Sequence, residues 1–192
     1  MKCAFVDCAG GLRLETQVVF VAEDSDWHGT PSAGPAIDCL TGNQLILRRC
    51  RFVDGRSSGV QVGTGAAALL DRCVLTGHPG PGLSVASNAS RVTVRDSVLS
   101  GNLFGAMVRR QSDDWRRDPA MGEWRYHDEK LPPFPESALV TMTGCDLRGN
   151  KSGAFGGDRL DLLTQSGNTC DPDDATGGLS PNQRKTDSTS FT

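Results

Sequence analysis

At 192 residues the chain is long enough for one domain with a buried core. It holds 23 glycines and only 6% aromatic residues, a balance that favours short strands and turns over helices. The net charge of −3 lacks the basic footprint of a nucleic-acid-binding surface, and no run approaches the roughly 20 apolar residues of a membrane span.

The chain opens on Met1, Lys2, Cys3, Ala4 and Phe5, without the continuous apolar core and cleavage site of a signal peptide. Seven cysteines, an odd number with no CxxC pair, fit a reduced, cytoplasmic setting and offer no zinc-ribbon ligand set. No cofactor or metal is therefore expected. Cys3, Phe5, Gly11, Leu12 and Leu14 already carry the strand-and-turn pattern that follows. A weaker unit comes next, with Val19, Val21 and Trp27. Ala22 to Gly34 reads as a small loop insertion, and its Asp24 and Asp26 fall short of a full Ca²⁺ ligand set.

From Ile37 onward the repeat is plain. Setting LILRRCRFVDGRSSGVQV, from Leu45, above ALLDRCVLTGHPGPGLSV, from Ala68, superposes Leu47 on Leu70, Cys50 on Cys73, Phe52 on Leu75, Gly59 on Gly82 and Val62 on Val85. VTVRDSVLSGNLFGAMV, from Val92, continues the series, and Val140, Met142, Cys145, Leu147 and Gly153 resume it 48 residues later. Each unit holds three short alternating strands, such as Leu45/Leu47, Cys50/Phe52 and Val60/Val62. Too few residues separate them to fold as hairpins, so each strand pairs with its equivalent one repeat on, in parallel and in register. Side chains then stack in ladders, one of which is Cys50, Cys73, Ser97 and Cys145. The glycines at 59, 82, 105 and 153 mark a bend where a side chain would crowd or φ must be positive. Gly-Asn recurs at 42–43, 101–102, 149–150 and 167–168 as a turn pair. The fold class expected is all-β: a single-stranded right-handed parallel β-helix of about six coils, roughly 29 Å long at the usual strand spacing.

CRFVDGRSSGVQV and DSVLSGNLFGAMV resemble the generic repeat of the pectin-lyase-like parallel β-helices, over about residues 1–108 and 138–165. That resemblance implies the fold strongly and function weakly, since such repeats occur in carbohydrate-active enzymes and in adaptor proteins alike.

The helix is expected to span 1–170, interrupted at 109–137. The interruption holds Trp115, Trp124, Tyr126 and Phe134 beside Arg116 and Arg117, residue types enriched at binding hot spots. It reads either as a docking loop or as a lid over the outward apolar residues Ile46, Leu69, Val74 and Val98. Residues 171–192 are polar and read as a flexible tail. No acidic ladder forms: Asp38 faces Gln61 and Ser84, Asp71 lies between Arg48 and Arg95, and Asp96 follows Arg49 and Arg72. The histidines at 28, 78 and 127 fall in separate loops, and no catalytic residue is assigned. The first reading is a non-catalytic scaffold module in a larger protein assembly, with a protein partner bound through Trp115, Arg116, Arg117, Trp124, Tyr126 and Phe134 or end-on. The second is a carbohydrate-active enzyme or carbohydrate-binding module.

Overall fold

A computed structural model describes residues 4–6, 11–15, 17–29, 34–86, 90–109 and 139–174. Within them the chain winds as a right-handed parallel β-helix, five complete coils with part of a coil at either end. The first part-coil holds β1 (Ala4–Val6) and β2 (Leu12–Leu14). The next coils hold β3 (Val19–Glu23), β4 (Asp26–His28) and β5 (Ile37–Cys39), then β6 (Gln44–Arg48), β7 (Arg51–Val53) and β8 (Val60–Val62). They continue with β9 (Ala67–Asp71), β10 (Val74–Thr76) and β11 (Leu83–Ala86), then β12 (Arg91–Arg95), β13 (Val98–Ser100) and β14 (Ala106–Arg109). β15 (Leu139–Thr143), β16 (Phe155–Gly156) and β17 (Leu163–Ser166) end the series.

Every third strand joins the same sheet. Sheet A is β1-β4-β7-β10-β13, sheet B is β16-β14-β11-β8-β5-β2, and sheet C is β17-β15-β12-β9-β6-β3, all with parallel neighbours. The register matches repeat equivalents one to one: Leu45 pairs with Ala68, Leu47 with Leu70, Phe52 with Leu75 and Val62 with Val85. Period-2 alternation therefore aims Leu45, Leu47, Phe52, Val60 and Val62 at one interior, where each is fully buried. Trp27 tops the aromatic end of that core and stacks on Phe52, ring centroids 4.5 Å apart.

Two early segments differ from the sequence expectation. Val19 and Val21 point outward, and Phe20 and Ala22 take the inward places opposite Leu45 and Leu47. The step to the next coil is 25 residues, an odd number, which sets Val19 and Val21 beside outward Gln44 and Ile46, whereas a 24-residue step would have brought Val21 to inward Leu45. The supposed loop after Ala22 contains β4, because its one inward residue, Trp27, is enough to hold the strand against Phe52.

The corner from sheet C into sheet A explains the column of thiols and hydroxyls. One residue makes the turn with positive φ: Asp24 (50°), Arg49 (52°), Arg72 (54°) and Asp96 (48°), with glycine at 144 and 167. The residue after it then reaches back to the carbonyl two positions earlier. Ser25 Oγ donates to Glu23 O, Cys50 Sγ to Arg48 O, Cys73 Sγ to Asp71 O, Ser97 Oγ to Arg95 O and Cys145 Sγ to Thr143 O. The carbonyls at 48, 71, 95 and 143 already accept a backbone N–H from the preceding coil, and the small side chain adds a second donor to each.

The glycine bend also resolves. At Gly59 and Gly105 close approach is the cause: a Cβ would stand 2.7 Å from Gly82 O and 2.8 Å from Ala154 O, respectively. At Gly153 a φ of 123° adds the conformational requirement. The Gly-Asn pairs belong to three different corners, each asparagine bridging to a neighbouring coil: Asn43 to Leu14 O, Asn102 to Leu75 O, Asn150 to Leu99 O and Asn168 to Met142 O. Bonding into the stack continues to Asp174, whose carboxylate accepts from Ala154 N at 3.1 Å.

Two substitutions test these assignments by urea denaturation. Gly59→Ala is expected to cost about 1–3 kcal/mol, since a backbone oxygen of the next coil has to move. Ser97→Ala is expected to cost about 1–3 kcal/mol by taking from Cys73 N its acceptor, while Arg95 O keeps Arg72 N, and Ser97→Cys, which continues the thiols, to cost less.

Candidate functional site

Trp115, Arg116, Arg117, Trp124, Tyr126 and Phe134 lie outside the described residues. The chain leaves sheet B at Arg109 and re-enters sheet C at Leu139, so the interruption is placed at the turn between those two sheets.

The corner between sheets C and A carries a run of ion pairs. Arg48 bonds Glu23 at 2.6 Å, and Arg49 grips Asp24 with both Nε (2.7 Å) and an Nη (2.9 Å). Asp71 stands between Arg72 (3.4 Å) and Arg95 (3.8 Å), and Arg51 lies 3.9 Å from Asp26. The arginines are thus matched by nearby acids in a lattice of largely exposed pairs, Asp71 alone among these acids being buried. Asp24 and Asp26, the acidic pair considered for Ca²⁺, are drawn to two different arginines. Among the described residues no cluster of three or more His, Cys, Asp or Glu is placed to hold a metal.

The thiols are core groups. Burial, then the charge of Asp38, pushes Cys39 up to about 11, and burial raises Cys145. Cys50 and Cys73 share a hydrogen bond that raises Cys73 and lowers Cys50 to about 7, but both are shut off from solvent.

Sheet B presents a different surface. Its outward positions run, one per coil, Arg13, Asp38, Gln61, Ser84 and Met107. Gln61 Nε2 donates to Asp38 Oδ1 at 3.3 Å, and Arg13 Nε lies 4.0 Å from Asp38 Oδ2. Burial raises the Asp38 carboxyl above the usual aspartate value, while Arg13 and the Gln61 bond pull against it. Guanidinium, carboxylate and amide are thereby lined up at the strand spacing of about 4.8 Å, while Ser84, next in register, is buried at 3% exposure. At the far end the Phe104 ring lies over Gly156, in a place where a Cβ would stand 2.8 Å from it. A half-buried ring beside a file of donors and acceptors is the combination that holds an extended polar ligand.

No family model and no curated protein matches the chain. Similar solved structures include crystal structures of the periplasmic alginate epimerase AlgG. One single mutant has a TM-score of 0.47 at 14% identity, over 88% of this chain and 42% of that one. A double mutant has 0.48 at 14%, over 86% and 48%, and another single mutant 0.43 at 14%, over 85% and 39%. The chain spans less than half the length of each. The parallel β-helix itself rests on the chain's own strand pairing. The expectation of a non-catalytic scaffold subunit is corrected at this point. The solved structures found similar are titled as an alginate epimerase, and the outward row on sheet B begins with Arg13, Asp38 and Gln61 rather than with an apolar docking face. No helix among the described residues is long and apolar enough to cross a membrane.

The charged corner yields a prediction of its own. Asp24→Asn should leave the urea midpoint almost unchanged, and raising the salt concentration should shift the wild-type midpoint equally little.

Proposed function

We propose that the chain is a carbohydrate-active β-helix module that binds a polysaccharide along the outward row of sheet B. The observation that carries this reading is the file Arg13, Asp38 and Gln61, with Phe104 further along the same row beyond Ser84 and Met107. Saccharides offer alternating hydroxyl donors and acceptors at short, regular intervals, and this file repeats once per coil. Apolar ring faces of a sugar pack on an aromatic side chain, which Phe104 supplies.

Asp38 is the residue of the row with chemical capacity. Half-buried and flanked by a cation and an amide donor, it is a carboxyl whose proton affinity exceeds the ordinary aspartate value, suited to exchanging a proton with a bound hydroxyl. It stands without a second carboxylate in the row, so the paired-acid arrangement of hydrolases is not part of the proposal. Alginate is a candidate ligand, being the substrate named in the titles of the structures of similar fold. Free thiols at all five described cysteines support a reducing, cytoplasmic setting.

Calorimetric titration with alginate, pectate and chitin oligomers, with product analysis in parallel, tests the proposal. Binding of at least one polymer is expected, and the Asp38→Ala, Gln61→Ala double variant should weaken it about tenfold or more. Arg51→Ala, on sheet A, should leave it unchanged. No binding by the wild type, or equal loss in both variants, would overturn the reading.

A further inference from the structure

His78 occupies an asparagine's place. In the turn that follows sheet A, successive coils put His78, Asn102 and Asn150 at the same position, each just after a glycine of positive φ. Asn102 Nδ2 donates to Leu75 O at 2.9 Å and Asn150 Nδ2 to Leu99 O at 2.8 Å, so each amide ties its turn to the coil before. His78 Nε2 does the same with Phe52 O at 3.2 Å. A carbonyl only accepts, so Nε2 bears the proton and Nδ1 is left as a lone pair.

The next step of the ladder fails at His78. Asn150 Oδ1 accepts from Asn102 N at 3.0 Å, and Asn102 Oδ1 accepts from His78 N at 3.0 Å. The corresponding atom of the histidine, Nδ1, is buried with no hydrogen-bond partner, alone among the buried side-chain nitrogens and oxygens of the described residues. The whole residue is 1% exposed. Gly59 lies against the ring, where a Cβ would stand 3.0 Å from Nε2, and leaves no room for the imidazole to rotate toward it.

We propose that His78 is a proton-sensitive joint in this ladder: neutral, it clamps the 77–82 turn to the preceding coil, and protonated, it releases that turn. A second proton has to go to Nδ1, which would place an N–H with no acceptor, and a full charge, in the interior. Asp54, in the turn of the preceding coil, is the charged group acting on the ring and favours the charged form. It is exposed, and burial outweighs it, holding His78 below the usual histidine value. Phe52, Gly59 and Asn102, which touch it from the two neighbouring coils, carry no charge.

The turn that would be freed has identified bonds. Gly80 N donates to Ser57 O at 3.3 Å, Gly59 N to Pro81 O at 3.1 Å, and Leu103 N to His78 O and Gly80 O at 3.2 and 3.0 Å. It leads directly into β11 and Ser84. The sign follows from linkage: the unfolded or opened state takes the proton near pH 6.5 and the closed state below it. The clamp is fully present above that value and is lost as pH falls.

Hydrogen exchange read by mass spectrometry on the intact protein tests the joint. Between pH 7 and pH 5, after correction for intrinsic rates, segments 55–60 and 78–83 should lose protection several-fold more than the segment around Asn150. In His78→Asn, which continues the ladder, that excess should vanish. Ring NMR of the wild type should place the His78 titration below the ordinary value, a reading that stands even where the variant folds poorly. An equal pH response in wild type and His78→Asn, or an ordinary His78 titration, would overturn the proposal.

Discussion

Backbone hydrogen bonds between coils govern everything else in this protein. A parallel in-register ladder leaves each residue facing its own equivalent one turn away, so a side chain acceptable once has to be acceptable in a stack. This is why Leu47, Leu70 and Val94 form one column and Phe52, Leu75 and Leu99 another. The same rule reaches the surface. Unlike charges alternate in Glu23, Arg48, Asp71 and Arg95 because like charges at that spacing would repel.

Corners are the second determinant. Leaving sheet C in a single residue needs positive φ, which asparagine, aspartate and glycine accept more easily than arginine. Arg49 adopts it with its guanidinium locked on Asp24, so a favourable surface contact is tied to an unfavourable backbone conformation. The thiol and hydroxyl column then adds a second donor to a carbonyl already bonded to the preceding coil. One geometric demand thus determines three consecutive columns: the strand end, the turning residue and the small donor after it.

Much of the fold was legible in the sequence for this reason. Columns made of one residue class, such as Val60, Leu83 and Ala106, repeat at intervals that alignment by eye can find. What escaped it was phase and mixed columns. Val19 and Val21 look like an inward pair, and only the 25-residue step to Gln44 and Ile46 shows that they are outward. β4 was hidden because Asp26 and His28 flank a single apolar residue. Gly77-His78 precedes Gly101-Asn102 by 24 residues, which was the available signal for His78 as a ladder member, masked by the prolines around it. The row on sheet B was harder to see. The repeat set Asp38 opposite Gln61 and Ser84 but gave no reason to read a site there, and only strand pairing adds Arg13 beside Asp38. The residues singled out between 109 and 137 fall outside the described chain, and sequence and structure do not meet there.

The glycines at 59, 82 and 105 have a mechanical meaning beyond their fit. Along that line each glycine lets a side chain of the next coil close over the bend: His78 and Leu75 at Gly59, Asn102 at Gly82 and Leu147 at Gly105. A methyl group at any of these places would push on the coil above it, so the spacing of the rod is set there by the absence of a side chain.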